Sequence, residues 1–440
     1  MDRVNGFSKL SKDEKIDWLE LQLKKFGTSS VVDVKKFWHK DENLQKIFDD
    51  FSENTISNFY FPYGLAPNFK INEKIYTVPL VIEESSVVAA ASKSAKFWLS
   101  RGGFQARILS TTKKGQVHFS WKGPKEKLFN FFSVIKSELL FSVKDIVANM
   151  ESRGGGIQDV QLIDKTDKLE HYYQIDVKFE TCDAMGANFI NSVLESFGEN
   201  LKRLALSHEA FLDSEKEIEV IMCILSNYTP ECLVNVVLEC PIEELGEFSG
   251  KMSPLEFAQK FERAVKIAKV DVNRAVTHNK GIFNGIDALI LATGNDFRAI
   301  EACGHAYAAK DGQYRGLSSC SLKNGRFRFE MTLPLALGTV GGLTKLHPLA
   351  KVSLDILGRP SARELMMIVA SVGLAQNFGA LRSLITTGIQ KGHMKMHLLN
   401  ILNQLDATEQ QVEFAKDYFQ DKTVSFSSVR ELIEKDQPFQ

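Results

Sequence analysis

Four short segments carry side chains able to hold or protonate a ligand. The run Thr277-His278-Asn279-Lys280-Gly281-Ile282-Phe283-Asn284-Gly285 sets an ammonium group among amide and imidazole donors. Taken alone, Lys280 there reads as an ordinary solvated lysine. Asp296 follows in the polar turn Thr293-Gly294-Asn295-Asp296, ahead of a helical Phe297-Arg298-Ala299-Ile300-Glu301, and could be no more than a helix cap. Glu83 and Glu84 precede the small-residue run 85–92; an acid at a helix start complements the helix dipole, so either could be structural. His393 and His397 have i, i+4 spacing and would share a helix face. With no HExxH and no third ligand in view, a zinc reading fails, leaving an ordinary histidine or a proton donor on a C-terminal helix.

Two glycine clusters could approach an anion closely. Thr181-Cys182-Asp183-Ala184-Met185-Gly186-Ala187-Asn188 joins a strand to a long helix, where backbone N–H groups and the helix dipole favour phosphate. A plain strand–helix turn capped by Asp183 is the simpler alternative. Gly338-Thr339-Val340-Gly341-Gly342-Leu343-Thr344 permits the same approach, or a tight turn. GxGxxG and GxxxxGK[ST] are both missing, which argues against a Rossmann site or a P-loop.

The elements that must position these groups follow from patterning. Val117, Phe119 and Trp121 alternate with polar residues, as do Tyr173, Ile175, Val177 and Phe179, giving strands with one buried face. Leu128, Phe132, Ile135 and Leu139 fall at helical spacing, as do Ile190, Val193, Phe197, Leu201 and Leu204. With strands after Gly154–Gly156 and over 217–225, the order is βαββαβ, the ferredoxin-like pattern. Ser11 with Glu14, Thr408 with Gln411 and Ser428 with Glu431 have the spacing of helix starts, and Leu19, Leu23 and Phe26 suggest a core-facing stripe. The expected fold is α+β: a large, mostly helical α+β domain (1–107 and 223–375), an inserted ferredoxin-like small domain (108–222) and a C-terminal helical part (376–440).

Composition sets the outer limits. Of 440 residues, 44% are hydrophobic and 25% charged, which describes folded domains. Lys and Arg number 54 against 55 Asp and Glu, a near-balance that argues against a nucleic-acid partner. A membrane span and a signal peptide are not expected, and six cysteines without a CxxC pair suggest reduced thiols in a cytoplasmic protein.

Read together, DAMGAN, THNKGIFNGID, TGNDFRAIEA, GTVGGLTKLHP and GHMKMH, in this order, resemble the soluble class II 3-hydroxy-3-methylglutaryl-coenzyme A reductases of bacteria and archaea. The resemblance runs from Glu53-Asn54 to the His393 region. It implies catalytic roles for Glu84, Lys280, Asp296 and His393, the last on a C-terminal flap. Arg274 and Asn284, with Asn227 a weaker match, would contact the hydroxymethylglutaryl group. Asp183, Met185, Gly186 and Asn188 would bind the dinucleotide in the small domain, together with Gly338, Gly341 and Gly342. Family members usually read EEPS and ENVIG where this chain has Glu83-Glu84-Ser85-Ser86 and Glu53-Asn54-Thr55-Ile56-Ser57; both changes lie beside the catalytic positions.

The implied activity is reduction of a coenzyme A thioester to mevalonate and free coenzyme A by two hydrides from NADPH or NADH, with a lean to NADPH, and with no metal. Lys280 would stabilise the oxyanion, Asp296 would keep that lysine charged and aimed, and Glu84 could donate a proton. His393 would protonate the departing thiolate. The same resemblance implies a homodimer with the active site between subunits. The alternatives are the same chemistry run oxidatively with NAD to degrade mevalonate, and an inactive acyl-CoA-binding relative.

Overall fold

Alternation of apolar and polar residues produces the strands, and their pairing assigns each to a layer. The computed structural model describes residues 3–27, 30–246, 252–386, 398–419, 422 and 424–435. Tyr173, Ile175, Val177 and Phe179 of β6 (Tyr172–Glu180) are all buried, while the residues between them are half-buried. β6 pairs antiparallel with β5 (Gly156–Asp164) and β4 (Lys113–Ser120), and β4 also pairs with β7 (Glu219–Leu225), giving the order β5-β6-β4-β7. Helices α4 (Lys125–Ser142) and α6 (Ala187–Leu206) lay Leu128, Phe132, Ile135, Ile190, Val193 and Phe197 on the apolar face of this sheet. Between them the chain adds a helix that patterning did not resolve, α5 (Lys144–Glu151), separated from α4 by Val143 alone.

The larger core is built on a second four-stranded sheet, ordered β3-β8-β10-β9, from β3 (Gln105–Ile108), β8 (Leu233–Pro241), β9 (Ser318–Lys323) and β10 (Arg326–Pro334). Against it pack the hairpin β1 (Tyr63–Ile71) and β2 (Lys74–Val81), with helices α3 (Val87–Leu99), α7 (Pro254–Val270), α8 (Val272–Ala292) and α12 (Ala362–Ile385). Helix α12 is apolar nearly all round, which is the pattern of a helix enclosed by protein or lipid. By length and composition it could cross a membrane, yet 83% of its most apolar stretch is buried inside the protein. Its start is fixed by Ser361 and Glu364, which cap each other's backbone N–H groups.

The expected divisions at 107/108, 222/223 and 375/376 fall inside β3, β7 and α12 respectively. A break at 376 would cut a continuous buried helix, so the C-terminal part begins after Ile385. There a third small core gathers Leu398, Ile401, Leu402, Ala415, Phe419 and Val429. Two further readings are corrected. The last helix starts at Phe426 rather than at Ser428, because it is the Ser425 hydroxyl that accepts from the Ser428 N–H. In α1 (Lys12–Lys24) the Ser11–Glu14 capping box is present, but Ile16 and Gln22 are buried while Phe26 stands 61% exposed.

Candidate active site

Helix α8 places Lys280 and Asn284 one turn apart on the same face, and its own start is capped by Asp271, whose carboxylate accepts from the Arg274 N–H. Opposite them, the chain leaves β2 and turns into α3 through Ser86, which holds a left-handed φ of 76°. That turn presents Glu84. Its Oε2 accepts from Lys280 Nζ at 2.7 Å and from Asn284 Nδ2 at 3.4 Å. The side chains of Lys280 and Glu84 remain 59% and 39% exposed. An ion pair so open to water contributes roughly 0–1 kcal/mol to stability, too little to explain the arrangement as a fold determinant. The cleft around it encloses about 370 Å³ and is lined also by Arg274, Thr277, Lys93 and Gln376. Burial lowers the Arg274 guanidinium pKa. Asn227, exposed just past the end of β7, is not among the lining residues.

Behind Lys280 lies a buried polar network that sequence reading did not identify. His278 Nε2 meets the Ser318 hydroxyl at 2.6 Å, and that hydroxyl donates to Asn377 Oδ1 at 2.7 Å. Ser318 has one proton, already committed, so Nε2 carries the hydrogen and Nδ1 is the bare nitrogen. Among the described residues, Nδ1 is buried without a partner. Asn279, the next residue, donates to the Arg315 carbonyl and accepts from the Leu317 N–H. The two residues before Lys280 thus bolt its helix to the start of β9. Burial, then the nearby Arg274 and Lys269 charges, push the His278 pKa down to about 3 from 6.5.

A pH dependence follows. Below pH 6.5 the unfolded chain binds a proton at His278 that the folded chain refuses until about pH 3, so stability falls as pH drops through that window. The His278→Gln variant, which keeps a donor toward Ser318, is expected to lose stability less steeply. Urea midpoints measured between pH 7 and pH 4 test this, and parallel pH slopes in the two proteins would count against it.

Asp296 lies elsewhere in the same chain. It caps α9 (Phe297–Ala308), its Oδ1 accepting from the Arg298 and Ala299 N–H groups at 3.0 and 3.2 Å, and it pairs with the Arg298 side chain at 3.3 Å. The turn that carries it folds back only as far as a bond from the Asn295 N–H to the Ile290 carbonyl. Ten residues of α8 separate that level from Lys280, roughly 15 Å at about 1.5 Å per residue. Asp296 lines a different cavity, of about 650 Å³, with Phe59, Tyr60, Phe61 and His347. The expected contact of Asp296 with Lys280 is therefore not made within one chain. His393 and His397 fall outside the described residues.

The two glycine segments meet. Ala184 forms a parallel bridge with Val340, and the Thr339 N–H donates to the Asp183 carbonyl. A Cβ on Gly338 would sit 2.5 Å from the Met185 backbone nitrogen, so only glycine allows this approach. Asp183 Oδ1 accepts from the Ala362 N–H at the start of α12, tying the β4–β7 unit to the larger core. Gly186, at φ 94°, opens α6 without a side-chain cap, and Asn188 is exposed on the first turn. Uncapped N–H groups at the start of a twenty-residue helix suit a phosphate. Among the described residues, nothing lies within 4 Å of where a Cβ on Gly341 or Gly342 would sit.

Two residues that sequence reading passed over hold these loops in place. Lys113, buried under the Asp183 turn, donates to Thr181 Oγ1 and, at 3.1 Å, to the Ala184 carbonyl; burial lowers its pKa. Asn295 Oδ1 accepts from the Gly338 N–H at 2.9 Å, so the residue beside Asp296 supports the glycine segment. Among the described residues, no three His, Cys, Asp or Glu side chains group as metal ligands.

Comparison with known proteins adds independent findings. Residues 14–398 match the hydroxymethylglutaryl-coenzyme A reductase family profile. A 3-hydroxy-3-methylglutaryl-coenzyme A reductase of Archaeoglobus fulgidus is 35% identical, over 98% of this chain and 94% of the relative. A probable reductase of the same name from Borreliella burgdorferi is 32% identical, over 95% and 92%. The solved class II 3-hydroxy-3-methylglutaryl-CoA reductase of Streptococcus pneumoniae, bound to NADPH in open conformations, is 36% identical with a TM-score of 0.71, covering 98% of this chain and all of that one.

Proposed function

Because the chain belongs to the hydroxymethylglutaryl-coenzyme A reductase family, we propose that it reduces 3-hydroxy-3-methylglutaryl-CoA to mevalonate and free coenzyme A at the Glu84–Lys280 cleft. Bound reduced nicotinamide supplies the two hydrides. NADPH is the favoured cofactor, since the Streptococcus pneumoniae relative was solved with it. The dinucleotide sits where Asp183, Met185, Gly186 and Asn188 face Gly338, Gly341 and Gly342; the close approach at Gly338 and the uncapped start of α6 support this.

The observation that carries the reading is the single carboxylate oxygen shared by Lys280 and Asn284. An ammonium has three N–H donors. One is spent on Glu84, which aims the group, and the others are free for an oxyanion growing on the thioester carbonyl. Glu84, hydrogen-bonded to Lys280, is the neighbouring carboxyl group that could supply a proton. Arg274 and Asn284 line the same cleft and hold the acyl group; Asn227, outside the lining, retains at most a role on closure. His393 protonates the coenzyme A thiolate from the C-terminal flap.

The enzyme works as a homodimer, with Asp296 of one protomer completing the partner's site. Support comes from the separation of roughly 15 Å along α8, which leaves Lys280 without Asp296 inside one chain. The protein is placed in the cytoplasm, where its six free cysteines stay reduced.

The direct test follows absorbance of the reduced nicotinamide with hydroxymethylglutaryl-CoA. Two NADPH are expected to be oxidised per thioester consumed, with NADH slower. Oxidation of one equivalent only, or none with either cofactor, overturns the reading, and mevalonate with coenzyme A and NAD measures the reverse direction.

A further inference from the structure

Away from the cleft, a second pocket of about 260 Å³ lies between the ends of α7 and α9 and the open face of the larger sheet, and shares no lining residue with the Lys280 cleft. Three cations converge on it: Lys269 from the last turn of α7, Lys310 just past α9, and Arg315 on the approach to β9. Lys269 Nζ donates to the Gly316 carbonyl at 2.5 Å, and Arg315 Nη1 donates to the Lys269 carbonyl at 2.6 Å. These two bonds tie the end of α7 to the 315–316 segment, and both cations line the pocket. Lys310 Nζ stands 3.9 Å from the centre of the Tyr307 ring.

Among the described residues, none of the three makes an ion pair with a carboxylate. Glu330 in the wall is already bonded to Arg328 at 2.7 Å, and the exposed Asp311 also lines the pocket. The Lys269 pKa is lowered by burial first and then by Lys310 and Arg315, so the cluster repels itself. A cation near the end of a helix complements the dipole. Lys269 and Lys310 fit that role, and Arg315 caps α7 through the Lys269 carbonyl; these roles account for each cation singly, but not for all three lining one pocket. Below them, cross-strand partners Asn235 and Thr332 form a polar floor, the Asn235 amide donating to Thr332 Oγ1 at 2.9 Å.

We propose that this pocket binds a small, multiply charged oxyanion of the phosphate class. Three donors of one sign around a polar floor match such a ligand, and the volume admits one or two phosphoryl groups. The ligand could be free in solution or be a phosphate of a coenzyme A derivative.

Titration calorimetry of the full-length protein with inorganic pyrophosphate, at fixed ionic strength, tests the proposal. Lys310→Gln and Arg315→Gln are each expected to weaken binding about tenfold, in line with lost charge-assisted hydrogen bonds. Lys310→Arg, which keeps the charge and controls for folding, should bind within about threefold of the parent. Undetectable pyrophosphate binding, or affinities unchanged in both glutamine variants, overturns it. Repeating the titration at saturating coenzyme A separates the sources. Competition means that the pocket receives the phosphates of a coenzyme A derivative, and independent binding means a free oxyanion; either result keeps the assignment.

Discussion

Lys280→Ala is expected to lower kcat for thioester reduction by at least about 10²–10³-fold, the range for losing one fixed oxyanion donor. The loss should appear almost equally in kcat and kcat/KM, as it does for an interaction made mainly in the transition state. Folding should barely change. Lys280 is largely exposed, and its pairing with Glu84 is a solvent-facing contact whose removal shifts stability by a few tenths of a kcal/mol, about the noise of a thermal midpoint. This combination of intact fold and lost chemistry distinguishes a catalytic cation from a structural one. A variant that kept parental turnover would remove Lys280 from the mechanism, whatever the family resemblance. Asn284→Ala should cost less in kcat, because it removes a second donor to Glu84 and leaves the ammonium in place.

What could be read in advance follows from how local the physics is. The strand at 172–180 and the helix at 187–206 were legible because one buried face imposes period 2 or 3.6 on the residues themselves. The Ser11–Glu14 and Thr408–Gln411 caps were legible because both partners lie three positions apart. Helix α12 differs: it is buried almost all round and has no polar face to mark its period, so the pattern does not show that it runs on past 376 to Ile385. The site divides in the same way. Glu84, Lys280 and Asn284 stand in distinctive segments and meet in the cleft, but the segments say nothing of what supports them. His278–Ser318–Asn377, Lys113 beneath the Asp183 turn, and Asn295 against Gly338 are contacts across 40 or more residues. Each looks like an ordinary polar residue until the chain closes on it. Nor could the segments say whether Asp296 serves its own chain. Beyond the shared site that the resemblance implies, it is the length of α8 and the Arg298 pairing that bear on Asp296 itself.

The dimer proposal makes its sharpest prediction through complementation. Lys280→Ala and Asp296→Asn are each expected to be inactive alone; asparagine is chosen because it caps a helix about as well as aspartate, which leaves α9 intact. Consider a purified mixed dimer with one variant chain of each kind. If Asp296 serves the partner's lysine, one of its two sites joins the mutated lysine with the mutated aspartate and is doubly defective. The other joins an intact Lys280 with an intact Asp296. Such a dimer should recover about half of parental turnover, and an unsorted co-expressed mixture about a quarter, since random pairing makes about half of the dimers mixed. If instead each chain supplied both groups to its own site, every site would carry one lesion and the mixture would stay as inactive as its parts. The two outcomes differ by the whole catalytic effect of Asp296. Co-expression with two affinity tags and sequential purification reads them directly, and an inactive mixed dimer would sink the shared site while leaving the reductase assignment standing.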